Sequence, residues 1–122
     1  MVAIGVDIED IKRFKDKSQK FLDRIFTKDE QAYCLSKPNP ASHFAVRFCA
    51  KEAVTKALNS MDIRQPQLNK IEIYHDENKC PKIKLSGKEY DNFTIEVSLS
   101  HEKTKAIAFV IIDVKMQRGK EA

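Results

Sequence analysis

Acidic and basic side chains that could bind a metal ion and a phosphate stand at two places far apart in the sequence. Asp7 ends a short apolar run that contains Gly5. Glu52 and Lys56 are four residues apart in an apolar segment, so on a helix they share one face. A half-buried charge among apolar neighbours costs roughly several kcal/mol unless it is paired or bound to a metal. A carboxylate and an ammonium in such a setting fit a bound metal ion and a bound phosphate.

Each of these residues also has a purely structural interpretation. Asp7 is a favoured residue for the N-cap of a helix that follows it. Glu52 and Lys56 have the spacing of a surface ion pair, which is the commonest outcome of that spacing. Arg47 and Lys51 raise the same question, because the segment that holds them has little polar surface.

The segment 98–101, Ser-Leu-Ser-His, ends a predicted strand at a tight turn. A serine and a histidine so close suggest a nucleophile and a base, but adjacent residues rarely have triad geometry and no Gly-x-Ser-x-Gly elbow is present. A lone histidine at a turn, here His101, is more often exposed than functional. The sequence has no P-loop, no Gly-x-Gly-x-x-Gly, no HExxH and no EF-hand loop, which excludes most of the common motif classes.

Hydrophobic periodicity predicts the elements that must position these residues. The segment 41–58 is apolar almost all the way round, which is typical of a helix buried in the middle of a fold. Thr27 and Glu30 match a capping box that opens a short helix to about Leu35. We predict a further helical segment over 8–26, broken near Lys17, and strands over 2–6, 71–74, 82–85, 93–99 and 105–114. Helices early and antiparallel strands late indicate an α+β fold.

Length and composition set the class of protein. The 122 residues fit one domain, which we place at 1–115, followed by a polar tail at 116–122. No apolar run is long enough to span a bilayer, and the start lacks the basic region of a signal peptide, so we expect a cytoplasmic protein. The three cysteines, Cys34, Cys49 and Cys80, argue by number and spacing against a disulfide framework and a zinc site. The net charge of +4 hints at an anionic partner.

Three separated segments together resemble the holo-acyl-carrier-protein synthases, the small class of phosphopantetheinyl transferases. They are Gly5-Val6-Asp7-Ile8, the stretch 47–57 with Glu52 and Lys56, and Val97-Ser98-Leu99-Ser100-His101 followed by 106–110. Arg13 and the stretch 24–30 also resemble the early region of that family. Each motif alone is weak, but their order and spacing make a specific combination.

The resemblance implies a fold, an assembly and a reaction. The fold is an α+β subunit whose long central helix packs on a curved antiparallel sheet, the 4′-phosphopantetheinyl transferase-like fold. The assembly is a homotrimer with active sites at the subunit interfaces, where Asp7 and Glu52 come from one subunit and the Ser-His turn from its neighbour. The reaction moves 4′-phosphopantetheine from coenzyme A to a serine of an apo acyl carrier protein and releases 3′,5′-ADP, by default in fatty acid biosynthesis. Neither nucleic acid nor a membrane is an expected partner.

The same resemblance implies roles for individual residues. Asp7, Glu52 and Lys56 are the expected catalytic residues, and Asp7 and Glu52 would hold Mg²⁺, which prefers a few carboxylates together with phosphate oxygens and waters. Arg47, Lys56 and His101 would bind phosphate oxygens of coenzyme A. Either Glu52 or a metal-bound water would accept the proton of the serine hydroxyl.

Docking of an acidic carrier protein is the role that the resemblance implies for the basic N-terminal region. Arg13 and Arg24 are the expected docking charges, and Phe21 or Ile25 would add an apolar contact. Such docking weakens with added salt.

Two loops depart from the family pattern, because glycines are missing where members of the family have them. After the long helix the chain reads Asn59-Ser60-Met61-Asp62, and before Pro81 it has Lys79 where a glycine is usual. Both loops would border the adenosine end of coenzyme A, so we assign no binding role to individual residues there.

Two other functions stay open at this stage. A small basic α+β domain could hold nucleic acid, which predicts aromatic residues interleaved with basic ones on an exposed sheet. The strands offer Tyr74 and Phe109 but no RNP or KH motif. The chain could also be an inactive relative that has kept the fold and lost the transfer reaction.

Overall fold

Five strands and three α-helices, with short 3₁₀ turns between them, make up the computed structural model, which describes residues 1–115. The predicted tail at 116–122 lies outside the described residues. In chain order the elements are β1 (Val2–Asp10), a 3₁₀ turn (Ile11–Phe14), α1 (Gln19–Ile25), α2 (Lys28–Leu35), α3 (Pro40–Ser60), a 3₁₀ turn (Leu68–Lys70), β2 (Ile71–His75), β3 (Pro81–Leu85), a 3₁₀ turn (Lys88–Tyr90), β4 (Phe93–His101) and β5 (Lys105–Val114).

The long helix α3 is the centre of the fold, as its apolar sequence predicts. Pro40 stands at its first turn, where a missing N–H costs nothing. Fourteen of its residues are buried, against β1 and β5 on one side and against α2 and β2 on others. The capping box of α2 is also present, since the Thr27 side chain accepts from the N–H of Glu30 while the Glu30 side chain accepts from the N–H of Thr27.

Antiparallel pairing joins the strands in two groups. A three-stranded sheet has the order β1-β5-β4, and β2 pairs with β3 as a separate hairpin. In the larger sheet Asp7 lies opposite Ala108, and Leu99 lies opposite Ala108 on the other side. The architecture is therefore α+β, with the long helix packed on an antiparallel sheet, as expected.

The two faces of the larger sheet differ in their surroundings, although both are largely apolar. Alternate residues of β5, from Ala106 to Ile112, are fully buried against α3. The opposite face is exposed and carries a row of large apolar side chains, a set that we call the outer sheet face. Its members are Val2, Ile4, Val6, Ile8, Ile107, Phe109 and Ile111, each 39% to 62% exposed.

The prediction for the N-terminal region is partly wrong. Residues 8–10 continue β1 instead of opening a helix, and only Gln19–Ile25 of the predicted 8–26 segment is α-helical. Asp7 therefore lies inside a strand and caps no helix. The reason is that β1 pairs with β5 along its whole length, as far as Asp10 opposite Lys105, so sheet pairing overrides the local helical spacing.

Among residues 1–115, no helix combines the length and the apolar character needed to cross a bilayer. All three cysteines are free thiols, with Cys34 and Cys49 buried and Cys80 exposed.

Candidate active site

Close packing of β1 on α3 brings the first predicted residue to the second group. Strand alternation turns Ala3, Gly5 and Asp7 toward the helix. A Cβ atom on Gly5 would collide with the carbonyl oxygen of Ala53, so only glycine lets the strand come this near. Since Ala53 follows Glu52, the contact sets Asp7 beside the middle of α3.

Lys56 meets Asp7 across this contact. Its Nζ atom lies 3.1 Å from Oδ1 of Asp7 and 3.1 Å from the carbonyl oxygen of Val6. The Asp7 side chain is only 10% exposed, whereas the Lys56 side chain is 55% exposed and can turn toward a ligand. An ion pair of Lys56 with Glu52, the surface alternative suggested by their spacing, is not the one that forms; the partner of Lys56 is Asp7.

The carboxyl groups of Asp7 and Glu52 are near enough to influence each other. Burial raises the pKa of Glu52, and the negative charge of Asp7 raises it further, against the opposing charges of Lys56 and Arg13. The Oδ2 atom of Asp7 is buried and has no hydrogen-bond partner in the described part of the chain. Two hard oxygen donors, one of them unsatisfied, fit a divalent cation. Residues 1–115 contain no ready-formed group of three or more His, Cys, Asp or Glu side chains that could hold a metal, so any cation here needs ligands from outside the chain.

Glu9 is a third acid at this place, and sequence reasoning missed it. It shares the inner face of β1 with Asp7, two residues on. Burial raises the pKa of Glu9, and hydrogen bonding to Asp7 and the charge of Asp7 add to the rise. Arg13 opposes it, with Nη1 2.6 Å from Oε1 of Glu9. The spacing of two residues between Asp7 and Glu9 was the available signal, but it indicates a shared face only once the segment is known to be a strand.

Lys51 has a structural role. Its Nζ lies 2.7 Å from Oε1 of Glu30 and 2.9 Å from the carbonyl oxygen of Leu68, and it also donates to the carbonyl of Ile71. Both charged side chains are completely buried. Burial lowers the pKa of Lys51, and the Glu30 carboxylate opposes that change. This ion pair ties α3 to α2 and to the start of β2.

Arg47 and His101 lie together but apart from Asp7. The Arg47 side chain is 2% exposed, with its guanidinium 4.3 Å from the centre of the Tyr33 ring, and its Nε is buried without a partner in residues 1–115. The His101 ring is centred 6.4 Å from the ring of His43, one turn before Arg47 on α3. His43 and Glu52 are nine residues apart, or about 14 Å along a helix. One chain thus holds two groups of predicted site residues, the Asp7–Glu52–Lys56 group and the Arg47–His101 group.

The predicted docking residues lie on the exposed side of the N-terminal region. Arg24 is exposed on α1, and Arg13 keeps 54% of its side chain exposed while it binds Glu9. Phe21 is partly exposed, with Lys17 Nζ 5.4 Å from its ring centre. Ile25 is wrong as a docking contact, because it is only 7% exposed and packs in the core.

The loops that lack glycine nevertheless have the backbone conformation that glycine favours. Asp62 has φ +57° and Lys79 has φ +62°. Residues with a side chain adopt this left-handed conformation at a cost, so the loops keep their shape without the usual residue.

Comparison with known proteins bears on what this arrangement does. Residues 3–110 match the family model described as the 4′-phosphopantetheinyl transferase superfamily. A holo-acyl-carrier-protein synthase of Thermodesulfovibrio yellowstonii is 42% identical over 114 residues, which cover 90% of this chain and 96% of the relative.

Solved structures give the same result. A holo-acyl-carrier-protein synthase from Bacillus anthracis in complex with coenzyme A (3′,5′-ADP) superposes with a TM-score of 0.78 at 27% identity, covering 93% of this chain and 96% of the other. The corresponding protein from Helicobacter pylori, also in complex with coenzyme A, has a TM-score of 0.76 at 32% identity, covering 90% and 99%.

Proposed function

The chain belongs to the 4′-phosphopantetheinyl transferase superfamily, as a transferase of the holo-acyl-carrier-protein synthase type, and on this premise we propose that it moves 4′-phosphopantetheine from coenzyme A to a serine of an apo acyl carrier protein. The observation that carries the proposal is the meeting of Asp7, Glu52 and Lys56 on the inner side of β1. We place the reaction in fatty acid biosynthesis in the cytoplasm, within a catalytic domain spanning 1–115.

The residues of this group fit a Mg²⁺ ion. Asp7 has a buried oxygen without a partner, and Glu52 has a pKa raised by burial and by the charge of Asp7. A divalent cation held by both carboxylates would satisfy the free oxygen and offset the repulsion. When bound, it supplies charge neutralisation on the pyrophosphate whose bond is broken.

The chain's own side chains provide binding and proton transfer. The serine oxygen forms a bond to the phosphorus that carries the pantetheine arm, and the bond from that phosphorus to 3′,5′-ADP breaks. Glu52 is our candidate acceptor for the serine proton. Lys56, whose ammonium is half exposed beside Asp7, holds the phosphate oxygens as a point charge, and Arg47 and His101 bind other phosphate oxygens.

We propose a homotrimer with active sites between subunits. The outer sheet face supports this, since a row of apolar residues exposed on neighbouring strands is a surface that proteins usually cover. The separation of the two groups along α3 supports it too, because the Arg47–His101 group of a neighbour can complete the Asp7 group. Phe109→Glu should give smaller particles in light scattering and lose transfer, whereas Lys84→Glu, a charge change on the exposed side of β3, should leave both unchanged. A wild-type monomer with full activity would contradict the proposal.

Carrier docking at Arg13 and Arg24 is the remaining part of the proposal. Arg24→Glu should raise KM for the carrier with little change in kcat, and should reduce the salt dependence of kcat/KM. An unchanged KM would remove Arg24 from the docking surface.

A transfer assay tests the proposed function as a whole. The protein is incubated with coenzyme A, Mg²⁺ and several apo carrier proteins, and each carrier is weighed by mass spectrometry. A gain equal to one phosphopantetheine arm is expected with wild type and not with Asp7→Ala or Glu52→Ala, both of which should stay folded. No gain on any carrier would favour the inactive relative. Absorbance of the purified protein at the nucleic-acid wavelength tests the nucleic-acid alternative, for which excess absorbance is required.

A further inference from the structure

All three histidines of the chain lie close to one another, although they are far apart in sequence. The ring of Tyr33 is centred 5.9 Å from the ring of His43 and 5.1 Å from that of His75, which it stacks against. His101 follows at 6.4 Å from His43. They come from three elements, α3, β2 and β4, so the tertiary fold and not local sequence gathers them.

Two permanent positive charges lie at the same place. The guanidinium carbon of Arg47 is 4.3 Å, and Nζ of Lys37 is 4.6 Å, from the centre of the Tyr33 ring. The nearest fully buried acid, Glu30, is already bound by Lys51 at 2.7 Å. In the described residues Arg47 has no ion-pair partner, and its buried Nε has no hydrogen-bond partner. A buried cation left in this state indicates room for an anion from outside the chain.

Most of the charged groups around the imidazoles repel a further proton. Burial lowers the pKa of His43 first, and the charges of Arg47, His101, Lys37 and His75 lower it further. Burial also lowers the pKa of His75, followed by Arg47 and Lys37, with only Asp76 in opposition. The other acids that line this cavity are Asp29, Glu30 and Glu72. Of these, Glu72 accepts a hydrogen bond from the Thr27 hydroxyl at 2.8 Å.

We propose that His43 and His75 join Arg47 and His101 in binding a phosphate monoester of the substrate, and that this binding tightens when the two imidazoles are protonated. The inference rests on the proposed function and deepens it. Coenzyme A carries a pyrophosphate and a 3′-phosphate, and the pyrophosphate is taken by the Asp7–Glu52–Lys56 group. The 3′-phosphate is therefore the group left for this second place, which opens into a cavity of about 370 Å³ lined by Tyr33, Arg47 and His75.

The chemistry explains why histidine is suited to this place. A neutral imidazole donates one hydrogen bond, whereas the protonated ring donates two and adds a charge. A bound phosphate dianion offsets the repulsion by Arg47 and Lys37, so it favours proton uptake by His43 and His75. By linkage, the protons favour the ligand to the same degree.

Calorimetric titration of the intact protein with coenzyme A and with 3′-dephospho-coenzyme A tests the inference, at about pH 6 and about pH 8 on either side of the range in which histidine titrates. Wild type should prefer coenzyme A at both values, and that preference should grow by about tenfold at the lower pH, the change expected for about one linked proton. Repeating the titration in buffers of different ionisation enthalpy counts the protons directly. The double variant His43→Gln/His75→Gln should bind both ligands, with a preference that no longer grows and with less proton uptake.

The controls separate this inference from the proposed function. The 3′-phosphate titrates near pH 6 by itself, but it does so equally with wild type and variant, so only their difference is used. Lys88→Gln removes an exposed positive charge elsewhere and should behave as wild type. If wild type binds coenzyme A with a preference that is independent of pH, or if the double variant keeps the wild-type pH dependence and proton uptake, this inference alone is wrong. If wild type binds neither ligand, the proposed function falls as well.

Discussion

Replacing Lys51 with methionine tests whether the buried ion pair next to the site is structural. Lys51 Nζ is 2.7 Å from Oε1 of Glu30 and 2.9 Å from the carbonyl oxygen of Leu68, and it also donates to Ile71. Methionine nearly conserves the volume of the side chain but removes the charge and every hydrogen bond. The change therefore isolates the contribution of the ammonium group.

The expected loss of stability follows from what stays behind. The carboxylate of Glu30 keeps the N–H groups of Thr27 and Ile73 as donors but loses its buried counter-charge. Removing one partner of a buried ion pair costs about 3–5 kcal/mol. A domain unfolds with about 5–15 kcal/mol, so the loss takes a large share of the total. We expect a decrease of about 4 kcal/mol in the free energy of unfolding.

Urea denaturation followed by circular dichroism, at one fixed protein concentration, measures this loss. The double variant Glu30→Gln/Lys51→Met should recover a substantial part of it, because the uncompensated charge is gone. Lys56→Met, which breaks the partly exposed pair with Asp7, should change stability by less than about 1 kcal/mol. A Lys51→Met protein within about 1 kcal/mol of wild type would refute the structural role.

Three further perturbations follow from the same structure. Because burial and then Asp7 raise the pKa of Glu52 above its ordinary value, its ionised form opposes folding at neutral pH; Glu52→Gln should raise the urea midpoint in chelator at pH 7, and a lower midpoint would contradict this. Lys79→Gly should stabilise by up to about 1 kcal/mol because φ is +62°, while Glu77→Gly should destabilise, as thermal melting will show. His43 and His75 have lowered pKa values, so stability is lost as pH falls below about 6.5; the double glutamine variant should lose less over that range, and identical pH profiles would exclude the effect.

The parts of the fold that could be predicted are those in which local pattern and tertiary environment agree. The apolar surface of 41–58 predicted the central helix, and Thr27 with Glu30 predicted the cap of α2, because in both cases the signal lies within a few turns. Residues 8–10 were mistaken for helix because Ile8, Ile11 and Phe14 follow a helical spacing. The inner face of the strand there is polar, since it holds the site, and so it lacks the alternation that usually marks a strand.

The candidate site was predictable to a similar extent. The family resemblance indicated Asp7, Glu52 and Lys56, and the structure brings Lys56 to 3.1 Å from Asp7. The pairing of Glu30 with Lys51 and the gathering of the histidines join residues 20 or more positions apart, for which a single sequence contains no signal. Neither was foreseen. The roles of the site residues and of the tail at 116–122 stay predictions.

Direct titration of the protein with Mn²⁺, followed by electron paramagnetic resonance in the presence of coenzyme A, tests the central claim that Asp7 and Glu52 hold one divalent cation between them. Wild type should bind one ion per chain, and Asp7→Asn and Glu52→Gln should each weaken binding by at least about tenfold, because each removes one of two charged ligands. If both variants bind the ion as tightly as wild type, the cation lies elsewhere and the proposed active site is wrong.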